Sequence, residues 1–205
     1  MNIKESDEKL RISKIAVIGL GVSNIPLIRY LYDLDCDVTL FDRKSVDEWS
    51  SEVRELIDKY NSNLSLGDNY LSKLVGYDII FRSPSMLPTN SYLVKEMERG
   101  ALVTTEVEQV IKLCPSKVIG VTGSKGKTTT TTLTYEIMKA YYKEKVFLTG
   151  NIGYPMTDLL GKVKSGDIIV MEVSCQQLEN MSKFKPNVGL LTNFSPAHID
   201  FLKSY

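Results

Sequence analysis

The sequence predicts an α/β protein made of two units, each with a mostly parallel β-sheet covered by helices. Two observations carry this prediction. Short, nearly continuous apolar runs rich in β-branched residues alternate with stretches of helical period, as in parallel sheets buried on both faces. Apolar residues make up 43% of the 205 residues and charged residues 24%, which is the composition of an ordinary globular protein.

The first unit is predicted over residues 1–105. Its strands and helices are assigned from the apolar periodicity of each run. Strands are expected at Ile15–Gly19, Asp37–Asp42, Tyr77–Phe81 and Ala101–Val103, and helices at Ile25–Leu34 and Val46–Tyr60.

The second unit is predicted over residues 106–205 and repeats the same alternation. Glu106–Leu113 is expected to form a bridging helix, which the proline in Cys114-Pro115-Ser116 ends. A strand then begins at Val118, a helix covers Lys127–Tyr142, and further strand runs end at Phe147, Glu172 and Asn193.

Charge and cysteine usage exclude several classes of function. Lys plus Arg and Asp plus Glu number 25 each, so no broad field attracts nucleic acid or an anionic membrane. The three cysteines fit neither a zinc motif nor a disulfide framework, and the amino-terminal segment is polar. We therefore expect a cytoplasmic protein without nucleic-acid or membrane partners.

A glycine-rich turn with a lysine follows the first strand of the second unit. Residues 118–129 read VIGVTGSKGKTT, so that a strand enters the turn and a helix leaves it. Curled backbone N–H groups and a helix start suit phosphates, with Lys127 at the β- and γ-phosphates and the Thr128 hydroxyl on Mg²⁺. The alternative is a glycine turn before an ordinary helix, because the strict G-x-x-x-x-G-K-[ST] spacing is not met. The predicted ATP-binding residues are Gly123, Ser124, Lys125, Gly126, Lys127, Thr128 and Thr129.

A second glycine-rich turn, GLGVSN at residues 19–24, leads from the first strand into a helix. It would place a pyrophosphate at a helix N-terminus, with Asp42 at the distance expected of a ribose-contacting acid. As a bare pattern it fits NAD, FAD or a uridine nucleotide. Asn24 replaces the third glycine of G-x-G-x-x-G, which weakens the dinucleotide interpretation.

Several segments resemble, in order along the chain, motifs of the Mur ligase family. TGSKGKTT at 122–129 is similar to the family's TG[TS]xGKTT, and GNIG at 150–153 is similar to its GNIG turn. EVSCQQLE at 172–179 resembles E-[LV]-S-S-F-Q-L-E, and NFSPAHID at 193–200 resembles N-x-[ST]-x-x-H-[LMI]-D.

In the first half, GLGVSN and Ser83-Pro84-Ser85 resemble turns of the family's uridine-nucleotide domain. The resemblance implies a Rossmann-like domain for a UDP-linked substrate, followed by a P-loop ATPase domain that is incomplete here. The implied substrate-binding residues are Gly21, Val22, Ser23, Asp42, Arg43, Ser83, Asn151, Ser174 and Gln177.

The activity implied by the resemblance is ATP-dependent amide bond formation that adds D-glutamate to UDP-N-acetylmuramoyl-L-alanine in peptidoglycan precursor synthesis. An acyl phosphate would form first, and Mg²⁺ would neutralise charge between the anionic reactants. Lys127, Glu172 and His198 are the implied catalytic residues, and Thr128, Glu172 and His198 the implied metal ligands. Glu172 also ends an apolar run, at the strand edge where ligands bind in open α/β sheets.

The family's pattern continues after the segment that carries His198, with the rest of the ATPase domain and a third domain. We therefore expect an amino-terminal fragment that is inactive alone and exposes a strand edge, and a monomer at full length. Three alternatives stay open: a nucleotide-binding module without catalysis, the family's L-alanine-adding ligase, and an NAD-dependent oxidoreductase that uses GLGVSN.

Overall fold

A computed structural model of the chain describes residues 2–21, 24–179 and 185–195. The chain divides after Leu113 into two compact units. The helix at Glu106–Leu113, which we expected to open the second domain, is therefore part of the first unit. Within the described ranges all strand pairs are parallel, and no helix is long and apolar enough to cross a membrane.

The first unit contains a five-stranded sheet and five α-helices in its described residues, three of them between strands along the chain. The strands are β1 (Lys14–Ile18), β2 (Asp37–Asp42), β3 (Asn63–Leu66), β4 (Ile79–Arg82) and β5 (Leu102–Thr104). The helices are α1 (Ile3–Arg11), α2 (Ile25–Asp33), α3 (Ser51–Tyr60), α4 (Ser91–Glu98) and α5 (Glu106–Leu113). The strand order β3-β2-β1-β4-β5 reverses direction between β1 and β4, as in doubly wound nucleotide-binding folds.

Strand β1 lies in the middle of this sheet and is buried on both faces. Ile15 and Val17 pack into one apolar cluster, whereas Ala16 and Ile18 pack into another. Successive side chains of a strand point to opposite faces, so each face of the sheet has its own core. The parallel α/β prediction is confirmed in this unit.

Some elements of the first unit differ from the prediction. The expected helix at Val46–Tyr60 is divided into a 3₁₀ turn at Val46–Glu48 and the helix α3, which Ser50 caps through the N–H of Val53. Strand β3 was not predicted, because its sequence NLSL carries too few apolar residues to signal a strand.

The second unit contains a four-stranded sheet with the order β7-β8-β6-β9. Its strands are β6 (Lys117–Thr122), β7 (Val146–Gly150), β8 (Ile168–Glu172) and β9 (Val188–Leu191), and its helices are α6 (Lys127–Tyr142) and α7 (Cys175–Glu179). Every residue of β8 is buried. The carboxyl ends of the four parallel strands meet at one edge, and this edge carries the glycine turn before α6.

Strand β9 forms one edge of this sheet in the described part of the chain. No described strand pairs with its outer side, and Val188, Leu190 and Leu191 are exposed. The expectation that a truncated sheet exposes a strand edge stays a prediction, because residues 196–205 lie outside the described ranges.

Candidate functional site

The glycine turn between β6 and α6 has the backbone conformation that its sequence predicts. Gly123 has φ of 141° and Gly126 has φ of 77°, both in the region that side chains of other residues disfavour. Gly126 caps α6, whose first residue is Lys127. The Lys127 ammonium donates hydrogen bonds to the carbonyls of Gly123 (2.8 Å) and Ser124 (3.3 Å), so the side chain lies across the turn.

Two N–H groups of this turn are already bonded within the chain. The N–H of Ser124 donates to the carbonyl of Asn193 at 3.1 Å, and the N–H of Lys125 donates to Asn193 Oδ1 at 3.0 Å. The donors left for an anion therefore come mainly from the first turn of α6, where helix N–H groups have no intrahelical partner. Thr128 and Thr129 are exposed in that first turn.

Glu172 occupies the last position of β8, next to the strand that leads into the glycine turn. Its register partners are Val121 at the end of β6 and Gly150 at the end of β7. The side chain is 1% exposed, and its Oε2 atom has no hydrogen-bond partner among the described residues. A buried carboxylate oxygen without a partner is unfavourable, so this atom is suited to a cation.

Asn151 orients Glu172. Its side-chain amide donates to Glu172 Oε1 at 3.0 Å, and its backbone N–H donates to the Glu172 carbonyl at 3.0 Å. Gly150 permits this approach, because a Cβ there would lie 2.1 Å from the Glu172 carbonyl oxygen. The resemblance implied that Asn151 binds the substrate. In this structure Asn151 hydrogen-bonds to Glu172 instead, and its assignment to the substrate stays a prediction.

Ser174 and Gln177 are bonded to each other at the start of α7. The N–H of Ser174 donates to Gln177 Oε1 at 2.9 Å, and the N–H of Gln177 donates to Ser174 Oγ at 3.3 Å. This reciprocal pattern is that of a capping box. Their bonds here are structural, and their assignment to the substrate stays a prediction.

A complete metal site is not formed by protein groups in the described ranges, where no three His, Cys, Asp or Glu side chains cluster. The donor set still fits Mg²⁺, which is usually held by one or two protein oxygens together with phosphates and water. Glu172 offers an unpartnered oxygen, and Thr128 is exposed at the helix start. His198 lies outside the described residues.

The first unit has a cavity of about 310 Å³ at the carboxyl ends of β1, β2 and β4. This is the position where the strand order reverses and where ligands bind in such sheets. The sequence-predicted residues that line the cavity are Gly21, Asp42, Arg43 and Ser83. Val22 and Ser23 lie outside the described residues.

The side chains of Asp42 and Asn24 hydrogen-bond to the backbone of the first glycine turn. Asp42 accepts hydrogen bonds from the N–H groups of Leu20 and Lys44, at 2.7 and 2.8 Å. The buried Asn24 amide donates to the carbonyls of Ile18 and Gly19, at 3.0 and 2.8 Å. The residue that replaces the third glycine thus holds the turn in place through its side chain.

Among the residues of the cavity wall that the sequence reasoning missed, three add charge or aromatic surface. Lys44 adds a second cationic side chain beside Arg43, and Trp49 and Tyr70 add aromatic surface. Burial, and to a smaller extent the charge of Asp42, raises the pKa of Tyr70. Lys44 directly follows a predicted residue, but nothing in the local pattern places Trp49 or Tyr70 at the cavity.

Comparison with known proteins gives a consistent result. The family model of the Mur ligase middle domain matches residues 121–205. The chain is 44% identical, over its whole length, to UDP-N-acetylmuramoylalanine–D-glutamate ligase of Clostridium botulinum, and 44% identical over 93% of its length to the protein of that name from Clostridium acetobutylicum. It spans 44% and 41% of the length of these two relatives.

Solved structures agree on the fold. A UDP-N-acetylmuramate:L-alanyl-γ-D-glutamyl-meso-diaminopimelate ligase from Neisseria meningitides matches with a TM-score of 0.50 and 14% identity, covering 91% of this chain and 62% of that one. A murein peptide ligase from Psychrobacter arcticus matches with a TM-score of 0.50 and 17% identity, covering 91% of this chain and 44% of that one. Residues 121–205 therefore match the Mur ligase middle domain, the whole chain is similar in sequence to Mur ligases, and the solved structures support the same fold.

Proposed function

We propose that this protein is an ATP-dependent ligase that adds D-glutamate to UDP-N-acetylmuramoyl-L-alanine. The observation that carries the proposal is the environment of Glu172. A buried carboxylate, with one oxygen that no described residue contacts by a hydrogen bond, ends the strand beside the one that leads into the Lys127 turn. The relatives named for this reaction, 44% identical along the chain, support the choice of substrates.

In the second unit, the turn would bind the phosphates of ATP. Lys127 supplies a positive charge, and the N–H groups of the first turn of α6 supply donors and the positive end of the helix dipole. Thr128, Glu172 and His198 would hold Mg²⁺, which lowers the charge repulsion around the transferred phosphoryl group. Asn151 occupies one oxygen of Glu172, so that the other, which has no partner among the described residues, would be available to the cation.

In the first unit, the cavity would bind the uridine nucleotide. Arg43 and Lys44 place two cationic side chains at its wall, which suits a diphosphate. Trp49 and Tyr70 provide aromatic surface for a base or sugar. The Asp42 carboxylate is fixed by two backbone N–H groups and keeps further lone pairs for a ribose hydroxyl.

The proposed reaction has two steps. The substrate carboxylate attacks the γ-phosphorus of ATP, which forms an acyl phosphate and releases ADP. The amine of D-glutamate then attacks the acyl carbon, so that the amide bond forms, inorganic phosphate leaves and the amine loses a proton. The binding groups of the second unit stabilise the charge that moves between the phosphates during the first step.

A second candidate is nucleotide binding without turnover. The cavity of the first unit and the Lys127 turn are both formed by described residues of this chain, which spans 44% of the length of its curated relatives. Titration of Mg-ATP and of UDP-N-acetylmuramoyl-L-alanine, followed by an assay of D-glutamate-dependent phosphate release, distinguishes the two candidates. Binding without release supports the second candidate, and the absence of both binding events contradicts both.

The Glu172 assignment is tested by Glu172→Gln. We expect the affinity for ATP to lose its dependence on Mg²⁺, with at least a roughly tenfold weaker Mg-ATP complex, because a neutral amide binds the cation poorly. The matched control is Asp167→Asn, which changes a buried acid at the opposite end of β8. Equal Mg-ATP affinity in the parent protein and Glu172→Gln would contradict the metal assignment.

A further inference from the structure

We propose that Asn193 is a positioning residue that fixes the shape of the Lys127 turn for phosphate binding. The inference rests on the proposed ATP site and concerns a residue outside that turn. It starts from the segment Thr192–Ser195, which follows β9 and lies against the turn.

Asn193 binds the backbone of Lys125 from both sides. Its Oδ1 accepts from the N–H of Lys125 at 3.0 Å, and its Nδ2 donates to the carbonyl of Lys125 at 2.7 Å. The Asn193 carbonyl also accepts from the N–H of Ser124 at 3.1 Å. One residue therefore fixes three consecutive peptide units of the turn, from Gly123–Ser124 to Lys125–Gly126.

Neighbouring residues of the segment strengthen the attachment. The Ser124 hydroxyl donates to the carbonyl of Ser195 at 2.7 Å and accepts from its N–H at 2.9 Å. The Thr192 hydroxyl donates to the carbonyl of Lys125 at 2.6 Å. The segment is so close that a Cβ on Gly123 would lie 2.1 Å from Thr192 Oγ1.

These bonds are not needed to pair β9 with β6. That pairing has its own register and continues in the bond from the N–H of Thr192 to the carbonyl of Thr122. Among the described residues, the Asn193 side chain bonds only to Lys125 and Thr192. Asn193 is also exposed, so that its truncation leaves no buried cavity.

The effect on binding follows from conformational entropy. A turn with two glycines samples many conformations when nothing holds it, and a ligand must then order it at the expense of affinity. With Ser124 and Lys125 fixed, the Lys127 ammonium and the start of α6 are held in place before the nucleotide arrives. Asn193 would thus act on affinity without touching the phosphates.

The test compares Asn193→Ala with Asn187→Ala in the protein. Asn187 Oδ1 accepts from the N–H of Val118 at 2.8 Å, a bond of the same kind at the opposite end of β6. We expect Asn193→Ala to weaken Mg-ATP binding about tenfold, and Asn187→Ala to leave it within about twofold. Binding of the UDP-linked substrate should not change in either variant.

Amide hydrogen exchange supplies a readout of the turn itself. The N–H group of Lys125, whose acceptor is the Asn193 side chain, should exchange about tenfold faster or more in Asn193→Ala than in the parent, and not in Asn187→Ala. Unchanged Mg-ATP affinity in Asn193→Ala, or an equal loss in both variants, would overturn the inference. A parent protein that binds no Mg-ATP would instead remove the proposed ATP site, and the inference with it.

Discussion

The two glycine turns occupy equivalent positions, each between a parallel strand and the following helix, but they are held in different ways. The turn after β1 is held by hydrogen bonds from the buried amide of Asn24, at the end of the turn, and by Asp42 at the end of the neighbouring strand β2. The turn after β6 is fastened by Asn193, which lies 68 residues beyond Lys125 and is exposed.

Because of this difference, the side chains that hold the two turns should affect different properties: the stability of the fold in one case and the affinity for a ligand in the other. A buried side chain that satisfies backbone carbonyls contributes to folding, because its loss leaves buried polar atoms without partners. An exposed side chain that orders a flexible turn contributes little to folding and more to ligand binding. We therefore expect loss of the Asn24 side chain to lower the free energy of unfolding, and loss of the Asn193 side chain to weaken Mg-ATP binding.

The largest effect is expected for Gly123→Ala. The new methyl group would meet Thr192 Oγ1 at 2.1 Å and the carbonyl oxygen of Asn193 at 2.9 Å, at a φ of 141°. The turn must then separate from the segment that holds it. Urea unfolding should show a loss of about 3 kcal/mol or more, and Mg-ATP binding should disappear.

Two other glycines are the controls for that substitution. In Gly19→Ala the new Cβ lies 3.0 Å from Ser83 Cβ at a φ of 88°. We expect the free energy of unfolding to fall by about 2 kcal/mol. In Gly126→Ala the new Cβ has no atom of the described residues within 4 Å apart from its chain neighbours, but φ is 77°. Backbone strain alone should therefore lower the free energy of unfolding by about 1 kcal/mol. Equal losses in all three variants would show that the close approach at Gly123 has no energetic role.

A smaller effect is expected for Asn24→Ala. The substitution leaves the carbonyls of Ile18 and Gly19 without their side-chain donor inside the first unit, and should lower the free energy of unfolding by about 2 kcal/mol. Asn90→Ala, which removes an exposed helix cap at Tyr92, should lose about 1 kcal/mol. If Asn24→Ala weakened Mg-ATP binding and left stability unchanged, the proposed division between the two turns would be wrong.

The smallest effect concerns two thiols, one in each unit. Burial raises the pKa of Cys36 and of Cys114 from 9.0 to about 11. The folded protein then favours the neutral thiols, so their contribution to stability is complete below pH 9 and is lost as the pH rises through about 11. Urea unfolding at pH 8 and pH 10.5 should show this decline, and Cys36→Ala and Cys114→Ala should each reduce it.

The fluorescence of Trp49, the single tryptophan of the chain, assigns this decline to one unit. Trp49 lies in the core of the first unit. Cys36→Ala should therefore change the pH dependence of the fluorescence-detected transition more than Cys114→Ala does. The reverse result would contradict the assignment of Cys36 to this core.

The sequence predicted the parts of the fold that local pattern determines. The strands around Val17 and Val170 and the helix that begins at Ile25 were assigned correctly, because continuous apolar runs and helical spacing are local signals. Helix α1 was missed although its signal was present. Asn2 and Glu5 form a capping box three residues apart.

The contacts that hold the candidate site were not predictable in the same way. Asn193 reaches Lys125 across 68 residues, and Asn151 reaches Glu172 across 21. Such pairs depend on which strands become neighbours in the sheet, and spacing along one sequence does not contain that information. The residue types at the turns could be predicted from the sequence, whereas the distant residues that hydrogen-bond to the turns could not.

The outer side of β9 has a practical consequence for handling the protein. No strand of the described ranges pairs with this side of β9, and an edge strand with three exposed aliphatic side chains is a template for another strand, including β9 of a second molecule. Concentrated samples should then form oligomers that dissociate on dilution. Leu191→Lys should raise the solubility limit without disturbing the pairing of β9 with β6.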